Sequence, residues 1–399
     1  MNFSVVIWNG KGITFDLNEK LLGLTLLERQ IKIYESLGAG EVVVADENTK
    51  RDFSGKWIFV NGAFFIHPQA VQQQYLEDGE DRFEKGGMFG LCDAENHRED
   101  IAEFLKNGAF PEQISTFTGY GYRIVVDAPK KKKVLTKALF YAMRKPVDGI
   151  IARTLNKAVS FFLTEHFFIP LHFTPNMVTI TAIITGVLSG FVAFGGTYWH
   201  LVAATFLAQF ASILDGCDGE TARLTYKMSN FGKWLDSVGD SFVNTSLTLG
   251  LGYGLARYFA ANPMQAEIQP YLETWPVWMA WLSVAINWYH NFVSYFDVIV
   301  VRKTTDIFAF VFWFEKKERV RTVDLSKPVY GKITLFEFLK YFSRRDCYLF
   351  VLFVLAVIGP LALLFGYIVM TAFIIPVFFM TTIHIYFGII KKMRKAEPF

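Results

Sequence analysis

Cysteine is scarce in this chain of 399 residues, which has only Cys92, Cys217 and Cys347. The three lie far apart and share no spacing typical of a metal site, so we interpret them as unpaired thiols in a reducing compartment. The net charge of +3 is too small to indicate a nucleic-acid partner. The first residues contain no basic segment followed by an apolar run, so we expect no cleaved signal peptide. These shortages argue against a disulfide-stabilised secreted domain and against a nucleic-acid-binding protein.

Apolar residues, in contrast, are abundant. They make up 52% of the chain, whereas a soluble protein has about 45–50% with glycine included. A membrane-spanning helix needs about 20 mainly apolar residues. The sequence predicts six such helices, at roughly 176–195, 198–215, 234–256, 276–300, 347–368 and 370–390. Pro360 and Pro376 fall inside the last two, where neighbouring helices can accommodate a proline.

Basic residues are unevenly distributed among the predicted loops. The loop 302–345 holds eleven Lys and Arg residues, and the C-terminal stretch KKMRKAEPF is also basic. The short loops GGTYWH and FGYIVM have none. Cytoplasmic loops of membrane proteins carry an excess of Lys and Arg. The pattern therefore predicts a multi-pass cell-membrane protein with its N- and C-termini in the cytoplasm.

The first 129 residues alternate short β-rich runs with helical patterns. Strands are predicted at FSVVIW, EVVVAD, KWIFVNG and YRIVVD, and helices at LLGLTLLERQIKIYESLG and REDIAEFLKNG. This alternation is typical of an α/β layer with a largely parallel sheet. We therefore divide the chain into a cytoplasmic α/β domain at 1–129, a basic amphipathic juxtamembrane helix and linker at 130–174, and a six-span domain at 175–399. The basic face of the middle segment predicts a helix on the membrane surface.

The stretch ILDGCDGETARLTYKMSNFGKWLDSVGDSF, residues 213–242, carries aspartates between two apolar segments. A charge in the middle of a membrane costs about 2.5–3.5 kcal/mol and is functional by default. Asp215 and Asp218 are spaced i, i+3, and Asp236 and Asp240 are spaced i, i+4, so each pair shares a helix face. Divalent cations with oxygen ligands neutralise such clusters, and Mg²⁺ prefers few carboxylates together with phosphate oxygens. The pattern predicts metal-assisted phosphoryl transfer.

The same stretch resembles the signature of the CDP-alcohol phosphotransferases, D-x2-D-G-x2-A-R-x8-G-x3-D-x3-D. It matches every fixed position: Asp215, Asp218, Gly219, Ala222, Arg223, Gly232, Asp236 and Asp240. The family has six spans and a cavity on the cytoplasmic side, and the resemblance covers residues from about 140 to 390. The fold class that follows is an α-helical polytopic membrane protein with six transmembrane helices and an N-terminal cytoplasmic α/β domain.

The resemblance implies a role for each matched residue. An acceptor hydroxyl attacks the β-phosphate of a CDP-linked alcohol, and CMP leaves. Two divalent cations, Mg²⁺ or Mn²⁺, are held by Asp215, Asp218 and Asp236, and Asp240 is the general base and a further metal contact. The expected donor-binding residues are Asn176 of TPNMVT, Asp218, Gly219, Ala222, Arg223 and Gly232. The expected partners are the lipid bilayer and a second copy of the chain.

The front of the chain resembles that of fused inositol-phosphate cytidylyltransferase/phosphotransferases, the di-myo-inositol-phosphate-phosphate synthase type. The junction RKPVDGIIARTLNK carries part of this likeness. In WNGKGITFD, Gly10 and Gly12 are present but no arginine follows closely, and Ala63 stands where such a domain has a metal-binding Asp. Asp127 matches a second metal ligand that has no partner. We therefore expect a nucleotidyltransferase-like domain that has lost catalysis.

Three readings of the function remain open at this level. The fused front domain favours an inositol or polyol phosphate as acceptor. The alternative within the family is phospholipid headgroup synthesis from CDP-diacylglycerol. A cation-coupled transporter would also place aspartates in a membrane, but transporters often contain internal repeats, and the halves of this sequence are not similar.

Overall fold

The computed structural model describes residues 3–10, 13, 16–72, 82–83, 88–109, 123–143, 151–307, 310, 312 and 344–390. Gly12, the first part of the junction and most of the 302–345 loop lie outside these residues, as does the C-terminal stretch KKMRKAEPF. The chain divides into two compact units. The α/β unit takes in the described residues up to Met143 together with Leu224–Tyr226, and the helical unit takes in the others.

The α/β unit has one five-stranded sheet, with the strand order β4–β1–β5–β8–β7. Its strands are β1 Ser4–Trp8, β4 Val42–Ala45, β5 Lys56–Asn61, β7 Arg82–Phe83 and β8 Phe89–Asp93. Strand β1 pairs in parallel with β4 and β5, whereas β8 pairs antiparallel with β5 and β7. The prediction of a largely parallel sheet is thus correct for three strands and wrong for the other two. A parallel connection needs a crossover of a dozen or more residues, usually a helix. In the described part of the chain between β5 and β8, the only helix has four residues.

Two short antiparallel pairs and four helices complete the described part of this unit. The pairs are β2 Lys20–Leu21 with β3 Leu24–Thr25, and β6 Phe64–Ile66 with β9 Arg123–Val125. The helices are α1 Leu26–Ser36, α2 Pro68–Val71, α3 Arg98–Asn107 and α4 Pro129–Ala142. The predicted first helix begins later than its apolar pattern, because Thr25 and Glu28 form a capping box at its start. Leu22 and Gly23 have positive φ and close the β2–β3 turn.

The helical unit begins with a helical segment at 151–168, which consists of α5 Lys157–Leu163 between two π-helical turns, Ala152–Asn156 and Thr164–Phe168. The long helices that follow are α6 Pro175–Ala193, α7 Tyr198–Leu224, α8 Asn230–Ala261 and α9 Gln269–Phe296, the last continued by a π-helical turn at Asp297–Val301. The remaining helices are α10 Arg345–Ile358, α11 Pro360–Ala372 and α12 Ile374–His384, the last continued by Ile385–Ile390.

Three helical stretches in the described part of the chain are long and apolar enough to cross a membrane: Pro175–Ala193, Tyr198–Leu224 and Pro360–Ile390. The first two overlap the first two predicted spans, and the third takes in the sixth predicted span and the end of the fifth. The predicted boundary between the fifth and sixth spans is wrong, because α10 ends before Gly359 and α11 begins at Pro360. Gly359 has a φ of 152°, and proline is favoured in the first turn of a helix, so this pair ends one helix and starts the next.

Glycines bring α6 and α8 into close contact. A Cβ atom at Gly190 would lie 2.2 Å from the backbone oxygen of Ser246, and one at Gly250 would lie 2.2 Å from the oxygen of Gly190. A Cβ at Gly239, between Asp236 and Asp240, would lie 2.1 Å from Ile183 Cδ1. Small residues of this kind let helix backbones approach closely in membranes. The packing fixes the face of α8 that carries the aspartates.

Candidate functional site

Three of the four predicted aspartates meet. Asp215 lies on α7, and Asp236 and Asp240 lie one turn apart on α8. One carboxylate oxygen from each can be chosen so that all three lie within 4.8 Å of one another. The three side chains line a cavity whose walls include the apolar residues Ile183 and Val243. The i, i+4 spacing therefore brings the α8 pair to one point, and the contact with α7 supplies the third carboxylate.

Asp218, the fourth predicted ligand, is not part of this three-carboxylate group. Its Oδ2 accepts a hydrogen bond of 2.5 Å from Thr179 Oγ1 on α6. Thr179 is the last residue of TPNMVT, from which only Asn176 was predicted to act. The structure thus identifies Thr179 as a partner of the site that sequence reasoning missed.

Arg345, the first residue of α10, lies among the clustered carboxylates. Its Nη2 is 2.6 Å from Asp215 Oδ2, and its Nη1 pairs with Asp240 Oδ1. The guanidinium partly neutralises carboxylates that would otherwise repel one another. Sequence reasoning counted Arg345 only as a basic loop residue. The signal that could have found it is a charge placed directly before the apolar run of a predicted span.

The two predicted donor-site residues at helix starts lie side by side. Thr174 caps α6 by accepting from Met177 N, which places Asn176 in the first turn. Ser229 caps α8 by accepting from Gly232 N at 3.0 Å. A Cβ atom at Gly232 would lie 3.1 Å from Asn176 Oδ1. The starts of both helices therefore converge, and helix N-termini favour anions.

Gly219 makes room for an arginine rather than leaving its backbone open. A Cβ atom at Gly219 would lie 3.3 Å from Nη1 of Arg223, one turn later on α7. Ala222, beside Arg223, is half-buried. The structure therefore brings Gly219 and Arg223 together at the end of α7. The pair is in a position to present a guanidinium, which binds phosphate in a bidentate manner.

The donor set at the cluster suits a hard divalent cation. Three carboxylates on two helices provide oxygen ligands only, as Mg²⁺ and Mn²⁺ prefer. The presence of a cationic guanidinium among them shows that this point attracts positive charge. Asp215, Asp236 and Asp240 fit a metal ion directly, whereas Asp218 is held by Thr179.

Arg302, the first residue of the basic 302–345 loop, is paired within the protein. Arg302 Nε donates to Asp297 Oδ2 at 2.5 Å, and Asp297 is fully buried. This ion pair lies at the π-helical turn that continues α9. The structure therefore gives Arg302 a partner within the protein.

This chain is similar to proteins of known description. Residues 172–390 match the family described as CDP-alcohol phosphatidyltransferase. The chain is 32% identical over 162 residues to a bifunctional IPC transferase and DIPP synthase of Aquifex aeolicus, which covers 40% of this chain and 36% of that protein. It is 30% identical over 177 residues to the protein of the same description in Thermococcus kodakarensis, covering 42% of this chain and 39% of that protein.

A second kind of relative is a CDP-diacylglycerol–serine O-phosphatidyltransferase of Helicobacter pylori. It is 37% identical over 90 residues, which are 23% of this chain and 35% of that protein. The chain therefore matches well under half the length of each of these relatives. The family match is broader, because it extends over more than half of the chain and contains every residue of the aspartate signature. The chain belongs to the CDP-alcohol phosphatidyltransferase family.

Proposed function

We propose that the protein transfers a substituted phosphate from a CDP-linked alcohol to an acceptor hydroxyl and releases CMP. The observation that carries this proposal is the meeting of Asp215, Asp236 and Asp240 within 4.8 Å at the end of a family-matched helix pair. Phosphoryl transfer depends on positioning and charge neutralisation more than on covalent chemistry by the protein. Clustered carboxylates beside an anion-favouring pair of helix starts provide both functions.

The four aspartates have different roles in this proposal. Asp215, Asp236 and Asp240 would hold two divalent cations, Mg²⁺ or Mn²⁺, and Asp218 would complete the set of ligands. These ions supply charge neutralisation at the diphosphate when bound. Asp240 takes the proton of the acceptor hydroxyl, whose oxygen forms a bond to the β-phosphorus. The bond between that phosphorus and the bridging oxygen breaks, and CMP leaves with the electron pair.

The donor lies, in this proposal, between the starts of α6 and α8 and the end of α7. Asn176 and Gly232 are in contact distance at the two helix starts, which favours a diphosphate there. Gly219, Ala222 and Arg223 line the cytidine side, and Arg223 offers a fork of donors to a phosphate. Asp218 faces this side from the same turn of α7, with its orientation fixed by Thr179.

We infer an inositol or polyol phosphate as acceptor. The relatives described as bifunctional IPC transferase and DIPP synthase support this choice. The α/β unit supports it too, since the fused relatives suggested by the sequence have such a domain at the front. We further propose that the helical unit crosses the cell membrane six times, that both termini are cytoplasmic and that the enzyme is a homodimer.

Phospholipid headgroup synthesis from CDP-diacylglycerol is the second candidate. The Helicobacter pylori serine O-phosphatidyltransferase, 37% identical over 90 residues, favours it. The two candidates share the cytidine diphosphate and the metal chemistry, and they differ only in the alcohol groups. The aspartate cluster therefore supports both equally, and a substrate screen separates them.

The test is CMP release by purified protein in lipid nanodiscs with Mg²⁺ or Mn²⁺. CDP-inositol with inositol phosphate and CDP-diacylglycerol with serine, glycerol phosphate or inositol are offered as donor and acceptor pairs. We expect CMP release that needs both members of one pair and stops in excess chelator. Release that continues in the chelator, or no release with any pair and either metal, would contradict the proposal.

A further inference from the structure

Glu220 lies within the aspartate signature at a position that the signature leaves free. It follows Asp218 and Gly219 on α7, and it is completely buried. A helix turns by about 100° per residue, so Glu220 points roughly 200° away from Asp218 and about 140° away from Asp215. The carboxylate therefore faces the side of α7 opposite to the cluster. A buried carboxylate needs compensating partners.

The partners of Glu220 all come from the segment 151–168. Its Oε1 accepts from Lys157 Nζ at 2.9 Å and from Ser160 Oγ at 2.7 Å. Its Oε2 accepts from Thr164 Oγ1 at 2.9 Å. The three donors are spaced i, i+3 and i+7, so they share one helix face. The carboxylate is thus fully compensated, with one cation and two hydroxyls.

Two further hydrogen bonds hold the same segment in place. Gln209 Nε2 on α7 donates to Asn156 Oδ1 at 2.8 Å. The backbone N–H of Ala152 donates at 3.0 Å to Oδ2 of Asp346, the neighbour of Arg345 on α10. The polar side chains of Asn156, Lys157, Ser160 and Thr164 are therefore turned towards α7, one of the helices that carry the site.

We propose that Lys157 and Glu220 form a positioning pair that fixes the donor-binding turn of α7. The turn 218–223 contains four residues proposed to bind the CDP donor, and Glu220 anchors it from behind. The statement that this turn binds the CDP donor rests on the proposed function. The anchoring of the turn by Glu220 and Lys157 does not depend on the proposed function. Because Glu220 is fully buried and bonded to Lys157, the pair acts through the orientation of Asp218 and Arg223.

A positioning role predicts an effect on the donor that a folding role does not. Misplacement of binding groups raises the KM of the substrate they hold, whereas partial unfolding lowers turnover and leaves both KM values unchanged. We expect Lys157→Met and Glu220→Gln to raise the KM for the CDP-alcohol by about tenfold, the lower end of what loss of an orienting partner produces. The acceptor KM should change by less than about twofold.

The design includes rescue and matched controls. Lys157→Arg retains the cation and should stay within about threefold of wild type. The double variant Lys157→Met/Glu220→Gln removes both charges and should be less impaired than the sum of the single variants. Glu165→Gln makes the same chemical change as Glu220→Gln, but at a partly buried carboxylate of the segment 151–168, and should leave both KM values unchanged. Folded fractions are matched by size-exclusion chromatography before the kinetic measurements.

A second readout is independent of activity. Cys217 is completely buried on α7, with its Sγ 3.6 Å from the backbone oxygen of Ser160. Maleimide labelling of Cys217, read by peptide mass spectrometry, therefore reports whether 151–168 stays in contact with α7. We expect labelling at least about tenfold faster in Lys157→Met than in wild type or Glu165→Gln.

The two readouts separate the possible failures. If wild type releases no CMP from any donor but labelling follows the expected order, the proposed function fails and the anchoring stands. If wild type is active and folded Lys157→Met retains its donor KM, the positioning role is wrong. The same conclusion follows if Cys217 in Lys157→Met is as protected as in wild type.

Discussion

The helical unit and the α/β unit differ in whether their chemistry-bearing residues meet. In the helical unit, carboxylates from α7 and α8 lie within 4.8 Å of one another beside Arg345. In the α/β unit, the turn after β5 presents Ala63, which is 6% exposed, and the Asp127 carboxylate pairs with Lys131 at 2.6 Å. No group of three metal-binding side chains occurs in the described part of that unit. Packing and chemistry depend on different residues, so a fold can in principle be kept without a site.

The largest effect expected is loss of activity in Asp236→Asn. The substitution keeps the size of the side chain and removes one of three clustered charges. Charge neutralisation at a phosphoryl centre contributes several kcal/mol, so turnover should fall by about 10³-fold or more. The measurement is CMP release, with Mn²⁺ affinity by electron paramagnetic resonance as a second readout.

Asp306→Asn is the matched control, since it makes the same change at a carboxylate outside the cluster, paired with Lys233 at 3.1 Å. It should retain activity within about threefold, as expected for a partly exposed ion pair. If folded Asp236→Asn keeps wild-type turnover, the cluster takes no part in the reaction. The contrast between the two units would then be wrong.

Asp240→Asn should produce the next largest loss of turnover. It tests whether Asp240 acts as a base or only as a metal ligand. Asn keeps the volume and a weak oxygen ligand but cannot take a proton. Turnover should fall by about 10²–10⁴-fold, the usual contribution of a general base. Donor binding, measured by isothermal titration, should stay within a few-fold of wild type. If donor and metal binding disappear together, Asp240 is a structural ligand and the base is another group.

The parts of this site that the sequence predicts are the local ones. The i, i+4 spacing of Asp236 and Asp240 depends only on residues one helical turn apart on α8. Strands β1, β4 and β5 were predicted for the same reason, since each is a short β-branched or aromatic run. Local periodicity is readable without knowledge of the tertiary fold.

The missed parts depend on contacts between distant segments. Arg345 meets Asp215 across 130 residues of sequence, and Thr179 meets Asp218 across 39. No spacing rule connects such pairs. Strand β7 was missed because its run has only two residues, and β8 was missed because FGLCD contains no β-branched residue and only one aromatic residue. Their antiparallel pairing depends on the tertiary fold.

Substitution of Arg345 should have a smaller effect than substitution of the aspartates, and it should strengthen metal binding instead of weakening it. Its guanidinium occupies oxygens of Asp215 and Asp240 that a metal ion would use. A hydrogen bond to a charged group contributes about 1.5–3 kcal/mol, so its removal should strengthen metal binding by about tenfold. We therefore expect Arg345→Met to bind Mn²⁺ more tightly than wild type and Arg345→Lys to bind it similarly to wild type. Weaker binding by the methionine variant would show that Arg345 supports the metal site rather than competing for it.

The smallest expected effect is in the α/β unit, which should make no CDP-alcohol from CTP and a sugar or inositol phosphate. Nucleotidyl transfer needs a metal held near the phosphates, and Ala63 offers a methyl group where the resembling domains have a carboxylate. Ala63 is also buried, with its N–H donating to Asn61 Oδ1 at 3.0 Å, so the turn is shaped around a small side chain. Ala63→Asp would bury a charge without a partner and should lower the melting temperature rather than create activity.

This measurement uses the Asp236→Asn variant, because the substitution should abolish the activity of the helical unit and leave the α/β unit unchanged. Pyrophosphate release from CTP, with and without inositol phosphate and Mg²⁺, should equal that of a protein-free blank. Acceptor-dependent release in this variant would have to come from the α/β unit. The two units would then both be chemically competent, and the loss inferred from Ala63 would be wrong.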